Sequence, residues 1–337
     1  MDEGVKVSVA IVCRDRGAVT ETCLYAVTAA TFGMEAELFV TDNASADNAA
    51  AYLAPLFPDI EFFRKEEAYP EVQLHEEMFR KAAGEYFLVL DAGVIVGEDL
   101  IRTLCYFMDE NPDVGAAGPK VLDVHGAFVP ESKRCLPTPW ISFCRKTWLS
   151  SLFPTSARFN AYYLPYLDAD RKHRVEVVSD SFRMLRRSAV EQTGWPVAAE
   201  MQYGEEIETA FRLAEAGFKS YYLPERVLHY GKGKILKKTA HRRLLVIARE
   251  ANIKETKAIC EQRMPGWEYV HAWNLDEQRI LGAASRSVQM KGFTDVAVCY
   301  PDASFEQLLL LMDRMENKYV TYHIYNRKNK VLVSPQP

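Results

Sequence analysis

Residues 5–12 read VKVSVAIV, a run in which β-branched and small apolar side chains follow one another almost without interruption. Such a run is typical of a strand that is buried on both faces of a parallel sheet. The polar turn RDRG at residues 14–17 comes next, and a helical stretch follows over residues 19–31. The beginning of the chain therefore predicts a strand, a turn and a helix in succession.

Strands and helices continue to alternate along the chain. Further strands are predicted over residues 36–40, 60–63, 86–90, 114–121, 175–185 and 218–223, and helices over residues 47–56, 71–83, 98–111 and 205–216. This alternation implies βαβ units around a mostly parallel sheet with helices against it. We therefore expect an α/β fold.

Three of the predicted strands are followed by an acidic residue. Asp15 follows the first strand, Asp42 the second and Asp91 the fourth. Ligands of open α/β sheets gather at the carboxyl ends of the strands, so three acids at one edge favour a ligand site there. Asp is also a preferred residue at helix N-termini, and simple helix capping explains the same pattern.

Composition limits the class of protein. Of 337 residues, 48% are hydrophobic and 26% are charged, which is typical of a soluble globular protein. The longest apolar run, residues 86–96, is shorter than the roughly 20 residues that cross a bilayer, and the N-terminus lacks the pattern of a signal peptide. We expect a cytoplasmic protein, and its formal net charge of −5 gives no general attraction to nucleic acid.

Seven scattered cysteines include no CxxC pair, so the sequence predicts neither a disulfide framework nor a zinc site. The stretch over residues 134–166 is aromatic, irregular and rich in Pro and Ser. Such a stretch fits an acceptor-binding insertion, and it fits a surface insertion without a role equally well.

A basic stretch begins at Lys232 and ends at Arg243, and the chain can form one long helix over residues 237–263. Its basic side chains are either a solvated face or a contact with an anionic membrane surface or a phosphate-bearing acceptor. Membrane contact would make the protein peripheral at the inner face of the plasma membrane. Composition shifts after residue 274, where a small β-β-α-β-β unit is predicted. We expect a main domain over residues 1–274 and an accessory unit of unknown role over residues 275–337.

An ordered set of short motifs resembles the family 2 glycosyltransferases. The set consists of VSVAIV at residues 7–12, DNASAD at 42–47, GEY at 84–86, GEEIE at 204–208 and VLHYG at 227–231. Its order and spacing match over roughly residues 5–274, and it is most similar to the rhamnosyltransferase-like branch of bacterial cell-surface polysaccharide synthesis. The resemblance implies a GT-A fold and transfer of a sugar from a nucleotide-sugar donor to a hydroxyl of a glycan or lipid-linked acceptor.

The resemblance also implies which residues contact the donor. Asp15 and Arg16 occupy the loop that contacts the nucleotide, and Arg16 could offset the charge of the diphosphate or form a surface ion pair. Asp42 would accept hydrogen bonds from the nucleobase or ribose. Ser179 and Asp180 match the segment that lines the sugar pocket, although the Ser179 hydroxyl could equally bond to backbone.

Glu205 and Glu206 match the acidic pair of the family at the start of a helix, where the helix dipole stabilises negative charge. In an inverting transfer, one carboxylate deprotonates the acceptor hydroxyl while the nucleoside diphosphate leaves from the opposite face of the sugar. By position Glu206 is the candidate base. Glu205 would orient it or contact the acceptor.

The family places a metal-binding acid after the fourth strand, because Mg²⁺ or Mn²⁺ needs hard oxygen ligands beside the diphosphate. Here residues 91–93 read DAG, and a glycine fills the position of the principal ligand. Asp91 and His229 are the remaining candidate ligands of Mn²⁺ or Mg²⁺, with Glu76 or Glu77 as additions. Two interpretations follow: an active glycosyltransferase, or a degenerate member that binds nucleotide or glycan, or scaffolds a partner, without turnover.

Overall fold

The computed structural model describes residues 5–147, 149–231, 243–263, 269–274, 295–300, 302, 312, 320–327 and 331–333. Contacts between residues divide the chain into two units. The first consists of Met1–Val94, Glu98–Val121 and Val129–Val227, and the second of Ile95–Gly97, Leu122–Phe128 and Leu228–Pro337.

The first part of the chain alternates strands and helices as predicted. The strands are β1 (Val7–Cys13), β2 (Ala36–Asn43), β3 (Glu61–Lys65), β4 (Tyr86–Asp91), β5 (Val94–Ile95), β6 (Val114–Leu122), β7 (Lys133–Arg134), β8 (His173–Val175), β9 (Val177–Val178), β10 (Phe182–Arg186) and β11 (Lys219–His229). The helices are α1 (Gly17–Ala30), α2 (Ala49–Leu53), α3 (Glu71–Lys81), α4 (Leu100–Glu110), α5 (Pro139–Lys146), α6 (Leu149–Leu152), α7 (Arg187–Thr193) and α8 (Glu205–Glu215).

The main sheet has the strand order β3-β2-β1-β4-β10-β6-β11-β5, with β8 beside β11. Its first half is parallel, because β1 pairs in parallel with β2 and β4, and β2 with β3. β10 then runs antiparallel to β4 and β6, so the sheet is mixed. The side chains of β1 and β4 are almost all buried, as expected for central strands covered on both faces. The predicted α/β class is confirmed.

Two neighbouring arginines join β10 and α7 to the ends of other helices. Arg186 Nη2 donates to Met108 O at the end of α4 at 2.6 Å. Arg187 Nη2 donates to Phe79 O at 3.3 Å and to Ala82 O at 2.5 Å, at the end of α3. The last carbonyls of a helix lack partners within the helix and carry partial negative charge, which a guanidinium satisfies. The pair therefore fixes the antiparallel strand at the centre of the sheet.

The second unit contains its own sheet. Its described elements are β12 (Arg243–Ala248), α9 (Glu250–Arg263), β13 (Tyr269–Asn274), β14 (Asp295–Tyr300), β15 (Thr321–Asn326) and β16 (Val331–Val333). The strand order is β13-β12-β14-β15-β16, and the pairs are parallel except for β15 with β16. The order reverses at β12, as in doubly wound α/β sheets.

The second unit differs from its prediction in two respects. Residues 243–248 form a strand, and the helix predicted from residue 237 begins only at Glu250. The apolar residues of this strand are 0–5% exposed because strands flank it on both sides. The strands β12 and β13, which precede residue 275, share one sheet with β14, β15 and β16, which follow it. Of the basic stretch from Lys232, only its last residue, Arg243, lies within the described residues.

No helix in the described part of the chain is both long enough and apolar enough to cross a bilayer.

Candidate active site

The carboxyl ends of three parallel strands bring the predicted acids to one edge of the main sheet. Within the sheet, Cys13 on β1 is the register partner of Asp42 on β2, and Val12 is the partner of Asp91 on β4. Asp15 stands two residues beyond the end of β1. The structure therefore places Asp15, Asp42 and Asp91 side by side at the edge where α/β sheets bind ligands.

Hydrogen bonds tie the loop after β1 to the loop after β2. Asp15 N donates to Ser45 Oγ at 3.0 Å, and Ala46 N donates to Asp15 Oδ1 at 2.6 Å. Gly17 N, the first amide of α1, donates to Asp47 Oδ2 at 2.9 Å. The two loops thus form one rigid rim at the sheet edge.

The same two loops contain strained backbone. Asp15, Ala44 and Asn48 have positive φ angles of 53°, 58° and 55°. These angles lie in the left-handed region, which residues other than glycine rarely adopt. Each such residue costs of the order of 1 kcal/mol, and such strain concentrates at ligand sites because the surrounding structure must impose it. The rim is therefore held in one conformation at an energetic cost.

Asp42 is fully buried within this rim. Its Oδ1 accepts a hydrogen bond from Ser45 N at 2.9 Å, and its Oδ2 accepts one from Ala50 N at 3.3 Å. Both carboxylate oxygens therefore hold the backbone of the loop after β2. The nucleobase contact that the resemblance implies would require exposed surface that Asp42 does not have in this conformation.

Arg16 and Asp91 present opposite charges at the edge. Arg16 Nη1 lies 3.8 Å from Asp91 Oδ1, and their side chains are 45% and 38% exposed. Asp91 Oδ1 also accepts the Gly93 N–H at 2.7 Å. The guanidinium is thus held near the end of β4 while much of it faces solvent, where it can bind a phosphate group.

The predicted sugar-pocket segment lies directly beside Asp91. Asp91 N donates to Ser181 O at 2.9 Å, which continues the pairing of β4 with β10. Ser179 is fully buried, and its Oγ accepts the Ser181 N–H at 3.1 Å, so its hydroxyl is bonded within the segment. Asp180 is exposed and accepts hydrogen bonds from both serine hydroxyls, at 3.3 and 3.0 Å. Asp180 is therefore the member that a sugar can reach.

Glu205 is a buried anion between an arginine and a histidine. Its Oε2 lies 2.8 Å from His75 Nδ1 on α3, and its Oε1 forms an ion pair with Arg183 on β10. Burial opposes ionisation, but the charges of Arg183 and His75 outweigh it and lower the pKa of Glu205 to about 2. Because both oxygens are engaged and the side chain is 9% exposed, this geometry suits orientation of α8 better than contact with an acceptor.

Glu206 is held by a different arginine. Its Oε1 accepts a hydrogen bond from Arg134 Nη1 at 3.0 Å, and Arg134 Nη2 donates to Val178 O at 3.1 Å. Pairing of β7 with β9 sets this arrangement, since Arg134 is the register partner of Val177. Gly204 leaves room for the carboxylate, because a Cβ at that position would collide with it.

These contacts connect the donor edge to the candidate base. Asp91 contacts Ser181, and Glu206 reaches Val178 through Arg134. Val178 and Ser181 are three residues apart, a span of at most about 10 Å even when fully extended. The structure thus brings the acidic edge, the sugar-pocket segment and Glu206 into one region of the first unit.

The residues present do not make a complete metal site. His229, the last residue of β11, is buried. Glu76 and Glu77 form ion pairs with Arg80 and Lys65, each at 2.6 Å. Among all residues that the structure describes, no group of three or more His, Cys, Asp or Glu side chains is placed to hold a metal ion. One carboxylate that already accepts an N–H and faces a guanidinium does not fit Mn²⁺ or Mg²⁺ without further ligands.

Three site residues were missed by sequence reasoning or left without a role. Arg134 lies in an irregular aromatic stretch and Arg183 in a predicted strand. His75 lies in a predicted helix, directly before two acidic residues. They reach the acidic pair from 72, 22 and 130 residues away, and no local pattern encodes such pairings. A signal was available only for Arg183, a basic residue in an otherwise apolar strand.

Comparison with known proteins finds similar structures and a matching family. Two solved structures are similar to this chain, each with 16% sequence identity. The mannosyltransferase PcManGT from Pyrobaculum calidifontis, in complex with GDP-Man and Mn²⁺, has a TM-score of 0.47, over 68% of this chain and 58% of that one. TarS from S. aureus has a TM-score of 0.46, over 66% and 36%. The chain thus spans less than two thirds of the length of either protein.

No curated protein matches the sequence. The mixed sheet flanked by helices agrees with the GT-A fold that the motifs implied. A family described as "Glycosyltransferase like family 2" matches residues 4–269, most of the 337-residue chain. The chain therefore belongs to the family 2-like glycosyltransferases.

Proposed function

We propose that this protein transfers a sugar from a nucleotide-sugar donor to a hydroxyl of a glycan or lipid-linked acceptor, with inversion at the anomeric carbon and Glu206 as the base. The observation that carries the proposal is a path with three parts. Asp91 contacts Ser181, the backbone leads from Ser181 to Val178, and Arg134 bonds both Val178 and Glu206. It joins the edge suited to a diphosphate to a carboxylate suited to an acceptor hydroxyl.

The donor would lie across the rim formed by the loops after β1 and β2. Arg16 supplies positive charge for the diphosphate, while Asp15 and the backbone of the rim face the nucleoside. Asp42 acts through the rim that it shapes. Because the described donor set does not fit Mn²⁺ or Mg²⁺, we assign the compensation of diphosphate charge to Arg16 and derive no step through a metal ion.

The base would act from the start of α8. Glu206 lies with Glu205 and Glu208 in the first turn of that helix, where the macrodipole favours carboxylates in the charged form. Arg134 is the positioning residue that fixes one oxygen of Glu206, and the other oxygen can then accept the proton of the acceptor hydroxyl. Glu205 is neutralised by Arg183 and His75, so it does not add a second free negative charge beside the base.

The resemblance of the motifs to the rhamnosyltransferase-like branch supports a finer assignment. We propose that the transferred sugar is a hexose or deoxyhexose and that the product enters cell-surface polysaccharide in a bacterium. The donor pool for such a reaction is cytoplasmic, so we propose that the protein works in the cytoplasm, next to the membrane when its acceptor is lipid-linked.

A second candidate function is favoured by Gly93. A glycine stands where the resemblance implies the principal metal ligand, and its N–H donates a hydrogen bond to an oxygen of Asp91. A protein with this change could bind a nucleotide or glycan, or serve as a scaffold for a partner enzyme, without turnover.

A thermal-unfolding screen separates these functions. A ligand that binds only the native state raises its apparent stability, so nucleoside diphosphates and nucleotide sugars are screened first, with and without Mn²⁺. A donor that raises the unfolding temperature is then incubated with sugar acceptors, and the anomeric configuration of the product is read by NMR. A product of inverted configuration supports the proposal. Binding without transfer supports the second function, and no response to any nucleotide contradicts both.

A further inference from the structure

The segment over residues 132–167 has an unusual composition for this protein. It contains no Asp or Glu, whereas the whole chain carries a formal net charge of −5. Its five basic residues are Lys133, Arg134, Arg145, Lys146 and Arg158. Its eight aromatic residues are Trp140, Phe143, Trp148, Phe153, Phe159, Tyr162, Tyr163 and Tyr166. An acidic protein therefore carries one purely basic and aromatic segment.

Four of these aromatic side chains and one leucine lie together at the surface, and we call them the aromatic cluster. It consists of Trp140 and Phe143 on α5, Leu152 at the end of α6, and Phe153 and Phe159 after it. The exposed fractions of Trp140, Phe143, Leu152 and Phe153 are 45%, 52%, 56% and 46%. The ring centroids of Trp140 and Phe143 lie 5.8 Å apart, those of Trp140 and Phe159 6.2 Å, and those of Phe153 and Phe159 5.0 Å. Contiguous exposed rings of this kind mark an interaction surface rather than scattered surface residues.

Three exposed basic side chains lie beside the aromatic cluster. Arg145 and Lys146 are in the last turn of α5, on the element that carries Trp140. Arg158 lies 5.7 Å from the centroid of the Phe159 ring, and its carbonyl accepts the Trp140 indole N–H at 3.0 Å. Within the described part of the chain, none of these three basic side chains has a carboxylate partner. Their positive charge is thus available to a partner.

We propose that the aromatic cluster, with Arg145, Lys146 and Arg158, docks the protein on the surface of an anionic lipid bilayer. Aromatic side chains are favoured at the level of lipid headgroups, and Lys and Arg beside them are attracted to anionic lipids. The segment contains no acidic residue, and an anionic bilayer supplies the negative charge that complements its basic side chains.

Other partners fit this surface less well. Proteins bind sugar hydroxyls with carboxylate and amide side chains, but residues 138–159 contain no Asp, Glu, Asn or Gln. A second copy of the chain would bring like charges together, because a two-fold interface places the same patch on both sides. An anionic bilayer matches both the rings and the charges.

The docking surface is linked through the chain to the candidate base. The segment that carries the aromatic cluster begins near Arg134, which holds Glu206. A bilayer bound to the cluster would therefore contact the same segment that positions Glu206. A lipid-linked acceptor has to reach Glu206 from such a bilayer. This link rests on the proposed function, whereas the docking itself does not.

Vesicle co-sedimentation without donor or acceptor tests the docking alone. The full chain is mixed with vesicles of phosphatidylglycerol and phosphatidylcholine, or of phosphatidylcholine only, at low and high salt. We expect binding to the anionic vesicles that weakens with salt. The double variant Phe143→Ser/Phe153→Ser should bind at least about tenfold more weakly. Lys146→Glu should weaken binding and reduce its salt dependence.

Control variants replace exposed residues of the same type or charge outside the segment. Phe32 is 83% exposed and the side chain of Arg80 is 74% exposed, so Phe32→Ser and Arg80→Glu should bind vesicles as the natural protein does. Equal thermal unfolding temperatures show that all variants are folded. The proposal is overturned if anionic vesicles do not bind the protein or if the segment variants bind like their controls. It is also overturned if the double variant changes only self-association or binding to a soluble glycan.

Discussion

Arg134 Nη1 lies 3.0 Å from Glu206 Oε1, and the two residues are 72 positions apart in the chain. The arginine comes from the two-stranded pairing of β7 with β9, while the glutamate is the second residue of α8. The same guanidinium also holds Val178 O, next to the segment that approaches Asp91. The position of the candidate base therefore depends on a residue of an irregular insertion rather than on its own helix alone.

Replacing Arg134 by Lys tests this dependence. Lysine keeps the charge but lacks the planar fork that contacts Glu206 and Val178 together, so the carboxylate is no longer fixed. We expect kcat to fall by about one to two orders of magnitude with little change in the KM for the donor, because a misplacement of about 1 Å has effects of that size. Steady-state kinetics measure both constants. An unchanged kcat would remove Arg134 as a positioning residue.

Replacing Arg16 by Gln tests how the diphosphate charge is met. Arg16 lies 3.8 Å from Asp91, and loss of its charge should weaken donor binding about tenfold, as expected for a hydrogen bond to a charged group. The neighbouring Arg14→Gln is the matched control, since that side chain is also exposed and lies near Asp15. Calorimetric titration should show that donor binding by the natural protein persists in a chelator. If the chelator abolishes binding while Arg16→Gln binds normally, a metal ion compensates the charge instead.

The Glu205 ion pairs should make stability depend on acid. The pKa of Glu205 is lowered from 4.5 to about 2, so its contribution is fully present above pH 4.5 and is lost as the pH falls toward 2. Glu205→Gln leaves Arg183 buried without a charged partner and should cost about 3 kcal/mol at neutral pH. Urea unfolding over this pH range measures the effect, with Glu215→Gln at the other end of α8 as the control. Equal losses of stability in acid for Glu205→Gln and the natural protein would contradict the assignment.

Glu21 should make the folded state less stable as the pH rises, which is opposite to the effect of Glu205. This residue of α1 is fully buried, and neither carboxylate oxygen has a hydrogen-bond partner among the described residues. Burial raises its pKa from 4.5 to about 7, so the folded state binds more protons than the unfolded state between these values, and stability falls as the pH rises through them. Glu21→Gln removes this penalty. Its stability relative to the natural protein should increase by about 3 kcal/mol from acid to slightly alkaline pH; a constant difference would show that Glu21 does not titrate in this range.

The first half of the fold could be predicted because its signals are local. The run that forms β1 is rich in β-branched residues, and the run that forms β4 is apolar. Parallel strands that end together bring Asp15, Asp42 and Asp91 to one edge. The strand β12 was missed, because a short apolar run beside basic residues suits a helix face as well as a buried strand. Only its neighbours in the sheet decide between the two.

The site was predictable in its location more than in its contacts. Glu205 and Glu206 are adjacent in sequence, yet the structure gives them different partners and different burial. Asp42 was expected to contact the nucleobase, but both of its oxygens bond to loop amides. Such differences arise from pairings across distant elements, which spacing along the chain does not reveal.

The most direct test of the central claim compares the transfer rate and the donor affinity of Glu206→Gln. Glutamine keeps the size of the side chain and can still accept the Arg134 hydrogen bond, but it cannot take the proton of the acceptor. The account predicts a transfer rate lower by about 10²- to 10⁴-fold with donor affinity nearly unchanged, while Glu215→Gln behaves like the natural protein. A Glu206→Gln variant that transfers sugar at the natural rate would contradict the account.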